Sequence, residues 1–148
     1  MSWVVDTCVV IDILDDDPEF GGASAALLDK MHVDGLVLCP VSYIELAPAF
    51  LGDGARQREF LDQVGIDYSA AWAWPDTQAA HRAWAVQVQL RRAGRAPRRP
   101  VADVLIGAFA STRQGLLTRN PGDFALLFPM LTVASPEVGC VLRGSSLR

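Results

Sequence analysis

The sequence predicts an α/β protein, a three-layer αβα sandwich about a central, mainly parallel sheet. Three observations point there. Short apolar, β-branched runs recur along the chain and are separated by stretches with helical spacing, the strand–helix–strand rhythm of parallel sheets. One such stretch, Val101 to Thr112, is apolar almost all round, as a central buried helix would be. Lone acids stand at the edges of apolar runs, where a parallel sheet opens its ligand site beyond the C-terminal ends of its strands.

Each element follows from local chemistry. Trp3 to Val5 reads as a buried strand that ends at Asp6-Thr7, and Leu36 to Cys39 as a second strand, with the amphipathic helix Ala23 to Met31 between them. Tyr43 to Phe50 and Arg56 to Val64 read as helices parted by the Gly52-Asp53-Gly54 turn, and Gly65 to Tyr68 as another strand. Thr77 to Arg92 is the longest helical candidate. Pro97 and Pro100 punctuate the chain before the apolar helix, which carries Asp103 in its first turn. Leu116 to Thr118 is expected as a strand, Asn120 to Asp123 as a turn, Phe124 to Phe128 as a brief helix and Leu131 to Val133 as a closing strand. With neither repeat nor linker, the expectation is one domain over residues 1–148, its core spanning about 3–134 and a tail running to 148.

A chain of 148 residues can bury about 68–70% of its unfolded surface, so a core needs no disulfide or structural metal. Cys8, Cys39 and Cys140 are odd in number and lack CxxC spacing, which excludes a disulfide framework and a zinc knuckle and leaves them as small buried hydrophobes. No apolar run reaches the ~18 residues of a membrane span, and no basic start precedes Asp6, so a soluble, cytoplasmic protein is expected. The net charge of −4 is unevenly spread. Arg91, Arg92, Arg95, Arg98 and Arg99 fall within nine residues, while Asp15, Asp16, Asp17 and Glu19 form an acidic patch. A solvated helix end followed by a loop would also account for the arginines.

Asp6, Glu45, Asp103 and Asp123 are the acids at the edges of apolar runs. Ionised carboxylates brought within ~4 Å repel by roughly 4 kcal/mol per pair at an effective dielectric near 20, so a converging cluster calls for divalent cations or proton uptake. Each acid has a plainer reading. Asp6 and Asp123 can cap the helices that follow them, and Asp103 gains from the dipole of its own helix. Ser42-Tyr43-Ile44-Glu45 is a formal capping box. Asp12 is a further acid, expected on a helix surface. His32 and His81 lack partners at metal spacing and are expected at the surface. An all-oxygen donor set favours a hard cation over zinc.

Taken together, Val5-Asp6-Thr7-Cys8-Val9-Val10-Ile11, Ser42-Tyr43-Ile44-Glu45-Leu46, Asp103-Val104-Leu105-Ile106-Gly107-Ala108-Phe109-Ala110 and Leu117-Thr118-Arg119-Asn120-Pro121-Gly122-Asp123-Phe124 resemble the PIN-domain family. Within it the chain is most similar to the VapC-like toxin ribonucleases of type II toxin-antitoxin pairs, over about Val4 to Val133. The resemblance implies that Asp6, Glu45, Asp103 and Asp123 bind Mg²⁺ or Mn²⁺ and are catalytic, with Thr7 and Asn120 supporting them by hydrogen bonds. Cys8 departs from the Ser or Asn usual at its position. The implied activity is a metal-dependent endoribonuclease that hydrolyses tRNA or rRNA to 5′-phosphate and 3′-hydroxyl ends. A cognate protein antitoxin is implied as partner, in a homodimer or a toxin-antitoxin hetero-oligomer.

The arginine-rich segment precedes Asp103 directly, which suggests that Arg91, Arg92, Arg95, Arg98 and Arg99, with Arg119, contact RNA phosphates. Trp72, Trp74 and Trp84 are expected to pack in the core, with a partner surface as the alternative. Two rival functions remain. A non-catalytic PIN-like scaffold would use the acids as caps. An aspartyl-phosphate phosphotransfer domain would also begin with an acid after its first strand, but Cys8 stands where such sites carry a second Asp, and Lys30, the only lysine, precedes the second strand.

Overall fold

The computed structural model describes residues 2–98 and 100–137. In chain order the elements are β1 (Trp3–Val5), α1 (Thr7–Leu14), α2 (Gly21–Met31), β2 (Leu36–Val37), α3 (Pro40–Glu45), α4 (Gly54–Val64), β3 (Ile66–Asp67), α5 (Trp74–Arg92), α6 (Val101–Ser111), β4 (Gly115–Leu117), α7 (Gly122–Ala125) and β5 (Val133–Ala134). The sheet has five strands in the order β3-β2-β1-β4-β5. Every neighbouring pair is parallel, with Val4 opposite Val37 on one side and Leu116 on the other.

Strand residues alternate between two cores, as the two-residue period of a strand requires. Trp3, Val5, Leu36, Leu38 and Leu117 pack with Val9 and Val10 of α1, Leu27 and Leu28 of α2, and Leu61 of α4. Val4, Val37, Cys39 and Leu116 pack on the opposite face with Ile106, Phe109 and Ala110 of α6. A central sheet buried on both faces is thus the observed architecture, in agreement with the expected sandwich. Helix α6 is apolar almost all round because it is covered twice, by the sheet and by α5.

The α5–α6 pair is pinned at both ends. Buried Asp76, near the start of α5, accepts hydrogen bonds from Thr112 Oγ1 and, at 3.1 Å, from Arg113 Nη1 just past the end of α6. At the other end buried Gln87 donates to the Pro97 carbonyl at 2.8 Å and so ties down the arginine-bearing loop. A short turn joins α6 to β4, so α6 runs antiparallel to that strand, and its N-terminal turn lies at the edge where the strands end.

Several boundaries differ from the expected ones. Tyr43 to Phe50 is not one helix: α3 starts at Pro40 and stops at Glu45, and a 3₁₀ turn follows over Ala47–Phe50. Pro48 lacks the N–H that a continuing helix would need, which explains the break. Helix α5 starts earlier than expected, at Trp74, with Pro75 in its first turn, where a missing N–H costs nothing. The tryptophans separate. Trp72 stacks on Phe109 with ring centroids 5.9 Å apart, whereas Trp74 and Trp84 are 69% and 38% exposed, which corrects the core assignment for those two. Trp84, together with Trp72, lines an apolar groove of about 510 Å³ with Ile44, His81, Val101 and Leu105.

Candidate active site

The central strand β1 ends at Asp6, between the ends of β2 and β4. Asp6 is the N-cap of α1: its Oδ1 accepts the Thr7 N–H at 2.8 Å, so the capping reading holds as far as it goes. Capping does not account for the rest of its surroundings. Oδ2 accepts from Thr118 Oγ1 at 2.7 Å and from Cys8 Sγ at 3.4 Å, and the side chain is buried. Burial pushes its carboxyl above the ordinary carboxylate range, the hydrogen bonds from Thr118, Cys8 and Thr7 oppose that rise, and the charge of Asp123 adds to it.

Glu45 is brought to this acid by Thr7, whose Oγ1 donates to Glu45 Oε1 at 2.9 Å while its backbone N–H serves Asp6. The capping box is not formed. Ser42 lies inside α3 rather than ahead of it, and its buried hydroxyl has no hydrogen-bond partner. Glu45 therefore ends a helix instead of starting one. Asp123 likewise is not the N-cap, because α7 begins one residue earlier, at Gly122, and Asp123 falls in its first turn. Asp123 is exposed, and its backbone N–H donates to the Asn120 carbonyl at 3.1 Å. Asp103 is half-buried in the first turn of α6, as expected, and α6 packs on both β1 and α3, which lead to Asp6 and Glu45.

The support residues divide as their chemistry dictates. Thr7 bridges two of the acids, whereas Asn120 contributes its backbone N–H, 3.1 Å from Thr118 Oγ1. Cys8 makes the polar contact that its identity left in doubt, and burial, reinforced by the charge of Asp6, raises its thiol to about 11. Thr118 was not singled out in the sequence, yet it holds Asp6 directly; the available signal was a hydroxyl at the end of an apolar strand that neighbours β1. Asp12 is a correction: it is buried, not on the helix surface, with Oδ1 3.2 Å from Arg119 Nη1. Arg119 thus already has an intramolecular partner. Arg91, Arg92, Arg95 and Arg98 are exposed, while Arg99 and Cys140 lie outside the described residues. His32 and His81 are exposed as expected, and Cys39 is buried.

Among the described residues no three His, Cys, Asp or Glu side chains stand close enough together to hold a metal ion between them. The donor chemistry nevertheless fits a hard cation. Magnesium keeps several of its waters and takes one or two protein carboxylates, so Asp6, on which the charge of Asp123 acts, meets the requirement in kind.

The chain matches the PIN domain over residues 3–125, a span that takes in all four acids. The chain belongs to the PIN domain family. A chain in the crystal structure of VapBC2 from Rickettsia felis bound to a DNA fragment from their promoter shares this PIN fold. The match has a TM-score of 0.69 at 14% identity and covers 93% of this chain and 100% of that one. No curated protein matches the chain.

Proposed function

We propose that this PIN domain is a VapC-like endoribonuclease, the toxin of a toxin-antitoxin pair, hydrolysing a tRNA or rRNA phosphodiester to 5′-phosphate and 3′-hydroxyl ends with Mg²⁺ or Mn²⁺. The observation that carries the reading is the setting of Asp6. It is an acid at the end of the central strand, buried at a cost, bonded by Thr118 and Cys8, joined through Thr7 to Glu45, and acted on by the charge of Asp123. Nothing in capping or packing requires a second acid beside a buried one.

A divalent cation bound there would lower the pKa of a water and neutralise charge on the scissile phosphate. Asp6, Glu45, Asp103 and Asp123 would hold it, directly or through the waters that magnesium keeps. The chain's own part is orientation: Thr7 fixes the Glu45 carboxylate, and the Thr118 hydroxyl fixes the rotamer of Asp6. The exposed arginines of α5 and its following loop would take flanking phosphates, and the apolar groove beside α3 and α6 supports a protein partner, either an antitoxin or a second copy. Among the described residues no helix is long and apolar enough to cross a membrane.

Glu45→Gln and Asp103→Asn test the assignment. Because α3 has no capping box at Glu45, the glutamine change removes charge and leaves the helix start untouched. Each variant is expected to fold as the wild type, to lose cleavage by at least about a hundredfold, and to weaken Mn²⁺ binding in calorimetry. Wild-type cleavage in purified Asp103→Asn would refute the metal quartet. A wild type that binds no Mn²⁺ would favour a non-catalytic scaffold.

A further inference from the structure

The ion pair between Asp12 and Arg119 is unaccounted for by the acids above. The Asp12 side chain is 4% exposed and that of Arg119 33%, and the arginine also lies over the Phe20 ring, 4.8 Å from its centroid. The pair is incomplete, since Asp12 Oδ2 is buried with no hydrogen-bond partner. As a source of stability it is poor, because a buried ion pair replaced by apolar residues is often neutral or better. Its location offers a different role. Arg119 stands four residues ahead of Asp123, between Thr118, which bonds Asp6, and Asn120, whose N–H bonds Thr118 Oγ1. Asp12 lies six residues beyond Asp6 along α1, which at 1.5 Å per residue separates the two anchor points by about 9 Å. One anchor would let the Thr118–Asn120 turn pivot against α1. Two fix its direction.

We infer that Asp12 and Arg119 are a positioning pair, which locks the Thr118–Asn120 turn onto α1 and so sets the Thr118 hydroxyl on Asp6 and the approach of Asp123; this rests on the nuclease reading. Arg119 then acts through the turn and does not touch the RNA.

The test compares wild type, Arg119→Lys and the double variant Asp12→Leu/Arg119→Leu by RNA cleavage with Mn²⁺ and by hydrogen exchange at the Asn120 amide. The double variant is expected to stay folded, to keep its KM, to lose kcat by roughly ten- to a hundredfold, and to exchange the Asn120 amide correspondingly faster. Arg119→Lys, which keeps the charge, is expected to recover part of kcat. An unchanged kcat in the folded double variant overturns the inference. So does a loss carried by KM with a shallower salt dependence, which would make Arg119 a phosphate contact. Should the double variant not fold, Asp12→Asn keeps volume and a hydrogen bond and is read by the same two measurements, with smaller losses of the same kind expected. A wild type that cleaves no RNA sinks the nuclease reading alone, because unchanged Asn120 exchange still overturns the pair.

Discussion

At the scale of single residues, the competing demands on Asp6 have a thermodynamic signature. Its carboxyl is raised above the ordinary carboxylate value of 3.8, chiefly by burial. The folded state therefore holds the proton more tightly than the unfolded chain, so stability is present at low pH and is lost as pH rises through and beyond the carboxylate range. Once ionised, the buried acid strains the fold. Asp6→Asn removes the charge but keeps an oxygen for the Thr7 N–H. It is expected to raise stability by on the order of 1 kcal/mol, about 2–4 °C in Tm for a chain of this size. Thermal unfolding across pH checks this: the advantage should be largest near pH 7 and shrink toward pH 4, and a variant less stable than wild type at pH 7 would contradict the burial argument. The acids at strand ends were legible because a charge beside an apolar run is conspicuous. Asp12 and Thr118 were not, since which face of α1 is buried, and which hydroxyl meets Asp6, depends on strand order rather than on spacing.

Elements were legible where one physical signal dominated. Helix α6 declared itself by apolarity almost all round and β1 by branched residues that stop at an acid. The short strands β2, β3 and β5, two residues each, carry too little pattern to bound, and β5 falls at Val133–Ala134 rather than Leu131–Val133. The 43–50 stretch misled because helical spacing outlasted the helix that Pro48 breaks. Packing around α6 also has a steric limit. A Cβ on Gly107 would overlap the ring of Phe128, which lies over the helix. Gly107→Ala is expected to destabilise by about 1–3 kcal/mol despite the better helix propensity of alanine. Gly22 in α2 has open space around it, so Gly22→Ala should be neutral or stabilising by up to about 1 kcal/mol. Urea unfolding of the two variants checks the contrast, and equal midpoints would mean that the ring moves aside freely.

At the scale of the whole molecule, the proposed binding of RNA requires an acidic chain to separate its charges in space. The net charge is −4, and the acidic patch at Asp15, Asp16, Asp17 and Glu19 lies between α1 and α2, on the opposite face of the sheet from α5 and α6. Arg91, Arg92, Arg95 and Arg98 are exposed at the end of α5 and in the loop that Gln87 holds through the Pro97 carbonyl. That loop feeds straight into the first turn of α6, where Asp103 sits at the strand-end edge. A phosphate chain led along these arginines would thus arrive beside the acids. Each phosphate contact on single-stranded RNA adds about 0.7 to the slope of log affinity against log salt, so replacing the four arginines by Gln should flatten that slope by roughly 2–3. Binding titrations with Asp103→Asn as the parent, the variant expected to lose cleavage, isolate the term. A slope left unchanged by the four substitutions would remove this loop from the RNA path and leave the basic run as a solvated helix end.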